Sequence, residues 1–316
     1  MKARERGDAP KDNTRRRVAG WTLVFFVCFL GTFPALAHDS PEHQVELLNS
    51  IIALQGPSAS LLSKRATEYR ALGQLQKAEA DFKAALRLDP KLSYVEKELA
   101  RIYLLEGKST QALAAAEHAL KLVEEGDSRS SIYLLKAEIQ AALGKPEAAL
   151  VAVNEAFKEG PPDLDAYLQR AQIQGRLGKW DDCIAGLKEG FEQTGSIVLE
   201  VEWIEALIDA NKCRSALEQI EPHLKNARWK SSWLLRRARA RKALGLEFVE
   251  DLKAAIVELG ERLNPRMPDL TLLADRALAY LLLGKRTEAL KDFENAKKLG
   301  ADEWVLRRVA PLLTAK

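Results

Sequence analysis

The sequence predicts an all-α fold made of stacked antiparallel helix pairs, and three observations lead to that prediction. A set of small and aromatic residues recurs along the chain. Glycines recur about every 34 residues, and intervals of 3 and 4 within each set place its members on one helix face. The composition is that of a globular chain, because 47% of the 316 residues are hydrophobic and 29% are charged.

The recurring set is clearest in two copies whose intervals are identical. These copies are Ala66, Tyr69, Gly73, Ala78, Phe82, Ala85 and Ala277, Tyr280, Gly284, Ala289, Phe293, Ala296. Small alanines let two helices approach closely, and the aromatic side chains fill the space beside them. A glycine between the helices can take the left-handed conformation that ends a helix. The predicted turn positions are Gly73, Gly107, Gly144, Gly178, Asn211, Gly245 and Gly284.

This pattern resembles the tetratricopeptide-repeat family over about residues 59–300. The resemblance implies a right-handed superhelical solenoid of antiparallel helix pairs, with about 6–7 repeats plus capping helices. It also implies that the first helix of each pair lines a concave face. The copies are degenerate at 197–269, where about two residues are missing after Gly245. We expect the least regular stacking, and any kink, in that segment.

Both ends of the array need a cap. Residues 38–58 predict a capping helix that begins at Ser40–Pro41. Residues 301–316 predict a second one, with a single amphipathic helix from Trp304 to Leu313. Its apolar residues, Val305, Val309 and Leu312, should face the stack, and Arg307 and Arg308 should point outward.

Residues 1–37 are typical of a bacterial export signal. Arg15–Arg17 precede an apolar run, and Ala35-Leu36-Ala37 forms a small-residue cleavage site. This pattern predicts a periplasmic or secreted protein. The alternative is an uncleaved inner-membrane anchor, because Val18 to Ala37 is free of charge and long enough to span a bilayer.

The charge balance follows from this division. The net charge of the whole chain is +3, from 48 Lys and Arg against 45 Asp and Glu. Residues 1–37 hold seven of those cations and three of the anions, which leaves 41 against 42. Export and a balanced charge argue against nucleic acid as a partner.

Chemical motifs are sparse. No nucleophile elbow, zinc-protease helix, phosphate loop or dinucleotide fingerprint occurs, so the sequence predicts neither an enzyme nor a cofactor. If cleavage follows Ala37, the amino group and imidazole of His38 could chelate copper beside His43. The alternative is that His38 merely follows the signal. Cys183 and Cys213 are either bridged or two buried small apolar residues.

The first helices carry a candidate binding strip on the predicted concave face. Its members are Arg70, Tyr94, Lys97, Arg101, Arg176, Arg239 and Lys242. Such cations could hold an acidic peptide or a carboxylate through charge-assisted hydrogen bonds. Glu138, Asp165, Glu205 and Asp209 share the strip, so a solvated mixed-charge groove is the alternative. The Lys and Asn clamp of some family members lacks its Asn here, so chaperone-tail specificity does not carry over.

These observations predict an exported, non-enzymatic scaffold that binds a protein or peptide in its groove, for assembly or recruitment. One alternative is a membrane-anchored scaffold with an uncleaved amino-terminal segment. Another is a copper-binding accessory protein, which depends on His38.

Overall fold

The computed structural model describes residues 40–123, 127–264, 266–301 and 303–314. All regular elements in these ranges are helices. They are α1 (Pro41–Gln55), α2 (Ala59–Ala71), α3 (Leu75–Leu88), α4 (Ser93–Leu105), α5 (Ser109–Leu122), α6 (Asp127–Ala142), α7 (Pro146–Glu159), α8 (Leu164–Arg176), α9 (Trp180–Thr194), α10 (Ile197–Asp209), α11 (Cys213–Asn226), α12 (Ser231–Ala243), α13 (Val249–Arg262), α14 (Leu270–Leu282), α15 (Arg286–Lys298), α16 (Glu303–Leu306) and α17 (Ala310–Thr314). The predicted export signal and His38 lie outside the described residues.

Seven helix pairs form the array, from α2–α3 to α14–α15. Each helix packs on the next one in the chain, and the first helices of neighbouring pairs also contact one another from α4 to α14. The first helices therefore form a continuous inner layer, and the second helices form the outer layer. This is the solenoid that the period predicts. None of the helices in the described ranges is both long enough and apolar enough to cross a membrane.

The turn inside each pair uses one repeated backbone device. The six predicted glycines have positive φ, and Asn211 takes φ 58° in the one turn that lacks glycine. In the first pair, the Gln74 N–H donates to the Tyr69 carbonyl across the turn. The same bond recurs in every pair, down to the Lys285 N–H and the Tyr280 carbonyl. This bond satisfies a carbonyl that the helix end would otherwise leave without a partner.

Fully buried alanines mark the closest helix contacts. Ala66, Ala100, Ala137, Ala238 and Ala277, all in first helices, have no exposed surface. Phe82 in the first pair is equally buried against Ala66 and Ala78. The small residue of one helix and the larger residue of its neighbour thus form the core that the sequence pattern predicts.

Three pairs share an internal salt bridge between their two helices. In each of them, the arginine that precedes the buried alanine of the first helix donates two hydrogen bonds to an aspartate of the second helix. The three pairs are Arg65–Asp81, Arg237–Asp251 and Arg276–Asp292. The residues lie 16 apart in the first and last cases and 14 apart in the middle one. The segment after Gly245 is therefore two residues shorter, yet α12 and α13 still pair with the same contact.

The carboxyl-terminal segment, residues 303–314, differs from the expected single outward-facing helix. It forms two short helices, α16 and α17, joined by a turn. Pro311 favours a new helix start because its ring suits the first turn. Leu306 and Val309 are buried against α14, but Leu312 is 43% exposed rather than packed on the stack. The expectation that Arg307 and Arg308 point outward is wrong, because both face carboxylates of α10.

Candidate functional site

The inner surface divides into two regions, which we name by their residues. The open half comprises the inner face of α2, α4 and α6. The closed half comprises α10, α12 and α14 together with the carboxyl-terminal segment that lies against them. Helix α8 lies between the two. The division matters because it separates charges that face solvent from charges that face one another.

In the open half, several predicted ligand residues surround Glu98 of α4. Arg70 Nε lies 3.0 Å from one Glu98 oxygen, and Arg101 Nε lies 4.0 Å from the other. The Arg101 side chain is 43% exposed, and Tyr94, two helix turns away on α4, is 46% exposed. Lys97 Nζ donates to the Ser131 hydroxyl at 3.3 Å. Four of the predicted residues therefore lie together on α2 and α4, with donor groups that reach solvent.

Arg176 stands apart at the end of α8. It is exposed and lines cavities on both sides of α8. Its guanidinium makes no ion pair with any of the residues that the structure describes. Five donors therefore remain available to a ligand.

In the closed half, α10 presents a row of carboxylates: Glu202, Glu205 and Asp209, at intervals of 3 and 4. Arg307 Nη2 lies 2.7 and 2.8 Å from the two oxygens of Glu202. Arg308 Nε lies 3.1 Å from Glu205 Oε2. These contacts hold the carboxyl-terminal segment against a helix about 105 residues earlier in the chain.

Helix α12 neutralises the same row from the other side. Arg236 Nε lies 2.9 Å from Glu205 Oε1, and Arg239 bonds both Glu205 and Asp209. The prediction of Arg239 as an exposed ligand residue is therefore wrong, since its side chain is only 13% exposed and already paired. The basic run around it is largely engaged inside the protein, because Arg237 and Arg241 both contact Asp251. Sequence spacing alone could not show which partners these cations would meet.

Burial shapes the ionisation of this cluster. Burial opposes the charge of Glu205, but the nearby guanidiniums of Arg239, Arg308 and Arg236 outweigh it and hold the pKa of that carboxyl well below its usual range. Burial raises the pKa of Asp275, whose carboxylate accepts from the Ser232 hydroxyl. Burial and the neighbouring Arg308 lower the pKa of Arg307. The carboxyl-terminal segment is thus docked through charges that have lost much of their solvent.

Two cavities flank the carboxyl-terminal segment. One, of about 220 Å³, lies between the two arginines and α8–α10, with Leu168, Trp180 and Cys183 in its wall. The other, of about 620 Å³, lies beside α12 and α14, and Lys242 and Leu312 line it. Lys242 is exposed there, with Nζ 5.6 Å from the centre of the Phe248 ring. The segment therefore fills the groove only in part.

The remaining candidate residues have simpler surroundings. Cys183 and Cys213 are free thiols in the structure, both buried, so the structure holds two small apolar side chains in place of a bridge. His43 is exposed near the start of α1. Within the described ranges, no group of three or more His, Cys, Asp or Glu residues could hold a metal ion.

Sequence reasoning missed the role of Glu202 and misplaced Arg307 and Arg308. The spacing of Glu202, Glu205 and Asp209 on one helix face was the available signal for an acidic row. Nothing in the pattern of α10 indicates that residues 105 positions later would fold back onto it.

Comparison with known proteins agrees with the architecture. The tetratricopeptide repeat family model matches residues 59–92, which is the helix pair α2–α3 and the turn that follows it. A tetratricopeptide repeat protein from Parabacteroides merdae superposes with a TM-score of 0.59 and 18% identity, over 81% of this chain and 99% of its own. Yeast Tom70 superposes with a TM-score of 0.55 and 22% identity, over 86% of this chain and 58% of its own. No curated protein sequence matches the chain.

A third similar structure is the Cut9–Hcn1 hetero-tetramer of the APC/C, with a TM-score of 0.51 and 15% identity. It covers 89% of this chain and 49% of its own. At these identities the similarity concerns the solenoid fold, and the site geometry above belongs to this chain alone.

Proposed function

We propose that this chain, a tetratricopeptide-repeat protein, is a non-enzymatic scaffold that binds a segment of a partner protein in the open half of its groove. The observation that carries the proposal is the group of exposed Tyr94 and half-buried Lys97 and Arg101 on α4, with exposed Arg176 further along the inner layer. These side chains offer an aromatic face and several donors on one surface. Repeat solenoids use such extended inner surfaces for binding.

The chemistry favours an extended acidic segment. Arg101 contacts Glu98 only at 4.0 Å and Arg176 has no described ion-pair partner, so both guanidiniums can form charge-assisted bonds with carboxylates. Tyr94 can pack against an apolar side chain of the same segment. Glu98 sets the register, because an acidic ligand must avoid it while reaching the arginines on either side.

A partner protein is also in keeping with the similar solenoid in the Cut9–Hcn1 structure, which is a hetero-tetramer. The amino-terminal sequence supports export to the periplasm or beyond, where the scaffold would serve assembly or recruitment. An uncleaved anchor would place the same groove at the inner membrane. Amino-terminal sequencing of the exported protein distinguishes these cases: His38 at the start supports cleavage, and an intact residue 1–37 segment overturns it.

The groove is tested by chemical cross-linking and affinity capture from the native host, with wild-type protein and an Arg101→Glu plus Arg176→Glu variant. A matched control carries Lys188→Glu plus Lys253→Glu, on the outer helices α9 and α13, where both lysines are at least half exposed. We expect the groove variant to lose a specific partner at least about tenfold, as loss of two charge-assisted contacts implies. Equal recovery by all three proteins would overturn the proposal.

A further inference from the structure

The carboxyl-terminal segment occupies the closed half as a ligand would. Its two adjacent arginines meet the carboxylate row, and the apolar residues on either side, Leu306 and Val309, are buried against α14. Arg307 Nη2 lies within hydrogen-bond distance of both oxygens of Glu202, and Arg308 Nη2 lies 3.6 Å from one of them, so both cations of the pair converge on this carboxylate.

The charge count shows what the segment supplies. Four carboxylates line this part of the groove: Glu202, Glu205, Asp209 and Asp275. Helix α12 offers them two guanidiniums, Arg236 and Arg239. The segment brings the other two. Without the segment Glu202 would lose both of its arginine contacts, so this end of the carboxylate row would be complementary to a cationic ligand.

The fit of the segment is incomplete. A cavity lies on each side of its arginines, and Leu312 projects to solvent beyond them. Burial and the adjacent Arg308 lower the pKa of Arg307, so the cost of desolvating its guanidinium offsets part of its attraction to Glu202. Docking of this kind can be displaced by a ligand with the same charges and better apolar contacts.

We propose that the carboxylate row of α10 binds a partner segment with two adjacent arginines followed by an apolar residue, and that Arg307-Arg308-Val309 is a competing internal copy of that ligand. The inference rests on the proposed scaffold function and extends it to a second, oppositely charged subsite. A partner with an acidic stretch and a paired-arginine stretch would then engage both halves.

A partner must displace a carboxyl-terminal segment that is covalently attached to the same chain. The segment follows α15 after only a few residues, so its local concentration at the row is on the order of millimolar or higher. A free peptide therefore binds the wild-type groove weakly. Binding to the open half raises the local concentration of a partner's own arginines, which makes the exchange feasible.

The test uses a fluorescently labelled synthetic peptide with the sequence of residues 303–314 and measures its anisotropy with the full chain. We expect weak binding to wild type and at least tenfold tighter binding to an Arg307→Gln plus Arg308→Gln variant, whose internal copy is disabled. A further Glu202→Gln substitution should remove most of the gain, because the peptide loses the carboxylate that both arginines contact. A control peptide with both arginines replaced by glutamine should not bind.

A second measurement keeps the wild-type protein intact. Hydrogen exchange of residues 305–314 should accelerate when unlabelled peptide saturates the groove, because the internal copy leaves its site. Equal affinity of the peptide for wild type and the double variant, or equal binding of the glutamine peptide, would overturn the inference. So would unchanged exchange at saturation. These results would leave the capture experiment with Arg101 and Arg176 unaffected, so the two proposals fail separately.

Discussion

Glu98 in α4 and Glu205 in α10 occupy the two halves of one groove, and their surroundings differ sharply. Glu98 faces two arginines, one of them 43% exposed and 4.0 Å away. Glu205 is 3% exposed and contacts Arg236, Arg239 and Arg308. In the first cluster the Arg101 side chain remains partly exposed and only loosely paired, so its guanidinium can still bind a ligand. The second cluster has exchanged water for fixed partners and holds two parts of the chain together.

The contrast shows why counting cations along a repeat array says little about binding. Arg101 and Arg239 occupy the same position in their repeats, one residue after the small residue of the first helix. The two arginines differ in what the neighbouring helix offers them. Arg239 contacts two carboxylates of α10, whereas the carboxylate nearest to Arg101 is Glu98 of its own helix, 4.0 Å away.

The largest expected effect comes from removing Glu205. Glu205→Ala leaves three buried or half-buried guanidiniums without their common partner, so we expect the free energy of unfolding to fall by about 3–5 kcal/mol. Glu98→Ala, its counterpart in the open half, should cost below about 1 kcal/mol. Urea denaturation of both variants measures the difference. Similar losses would show that the two halves are electrostatically alike.

The next largest effect on stability is expected at Gly190 of α9, at the boundary between the two halves. A Cβ at Gly190 of α9 would lie 2.8 Å from the Tyr167 ring and 2.9 Å from Leu199 Cδ1, both fully buried. We expect Gly190→Ala to destabilise by about 1–3 kcal/mol through overpacking. Gly175→Ala is the matched control, because its Cβ would meet Trp180 at an ordinary 3.5 Å and alanine favours a helix. Equal melting temperatures for the two variants would contradict this view of the boundary.

Acid should weaken the closed half through Glu205. Its folded pKa lies below the ordinary value of 4.5, so its contribution is complete above about pH 4.5 and is lost as the pH falls toward the folded pKa. Asp275, with a raised pKa, has the opposite sign and offsets part of the loss. We expect the urea midpoint to fall between pH 5 and pH 3 more steeply in wild type than in Glu205→Gln. Parallel pH profiles would argue against the coupling.

The smallest effect concerns a cavity wall and involves no change of stability. Burial raises the pKa of the Cys183 thiol to about 11 and raises that of Cys213 as well. At pH 8 only about one Cys183 in a thousand is then a thiolate, so alkylation should be slow in the native protein and fast in urea. Site-resolved mass spectrometry measures both rates. Rapid native labelling of Cys183 would show that the closed half opens to solvent readily.

Much of the architecture could be predicted from single positions. The period of about 34 located the turns, and even Asn211 takes the left-handed conformation of the glycines it replaces. The shortened pair after Gly245 was also visible as missing residues, and the Arg237–Asp251 contact shows how the fold absorbs them. Local rules suffice here because each repeat contacts mainly its neighbours.

The positions of the candidate residues were predictable only in part. Tyr94, Arg176 and Lys242 are exposed, and Lys97 and Arg101 are half-buried, because a place on the inner face of a first helix follows from helical phase. The prediction that Arg239 is an exposed ligand residue was wrong because its carboxylate partners lie in the preceding repeat, about 30 residues away. The prediction that Arg307 and Arg308 point outward was wrong because it assumed one continuous helix, whereas the segment forms two short helices and Pro311 lies at the start of the second.

The sequence by itself determined the helix pairs, their turns and the order in which they stack, because those features depend on spacing and on neighbours along the chain. Only the tertiary structure decided which inner charges remain available. That outcome depends on a contact between residues 105 positions apart, Glu202 and Arg307, which closes one half of the groove and leaves the other open. No periodic pattern specifies such a contact, since charge attraction between distant segments depends on where the chain brings them in space.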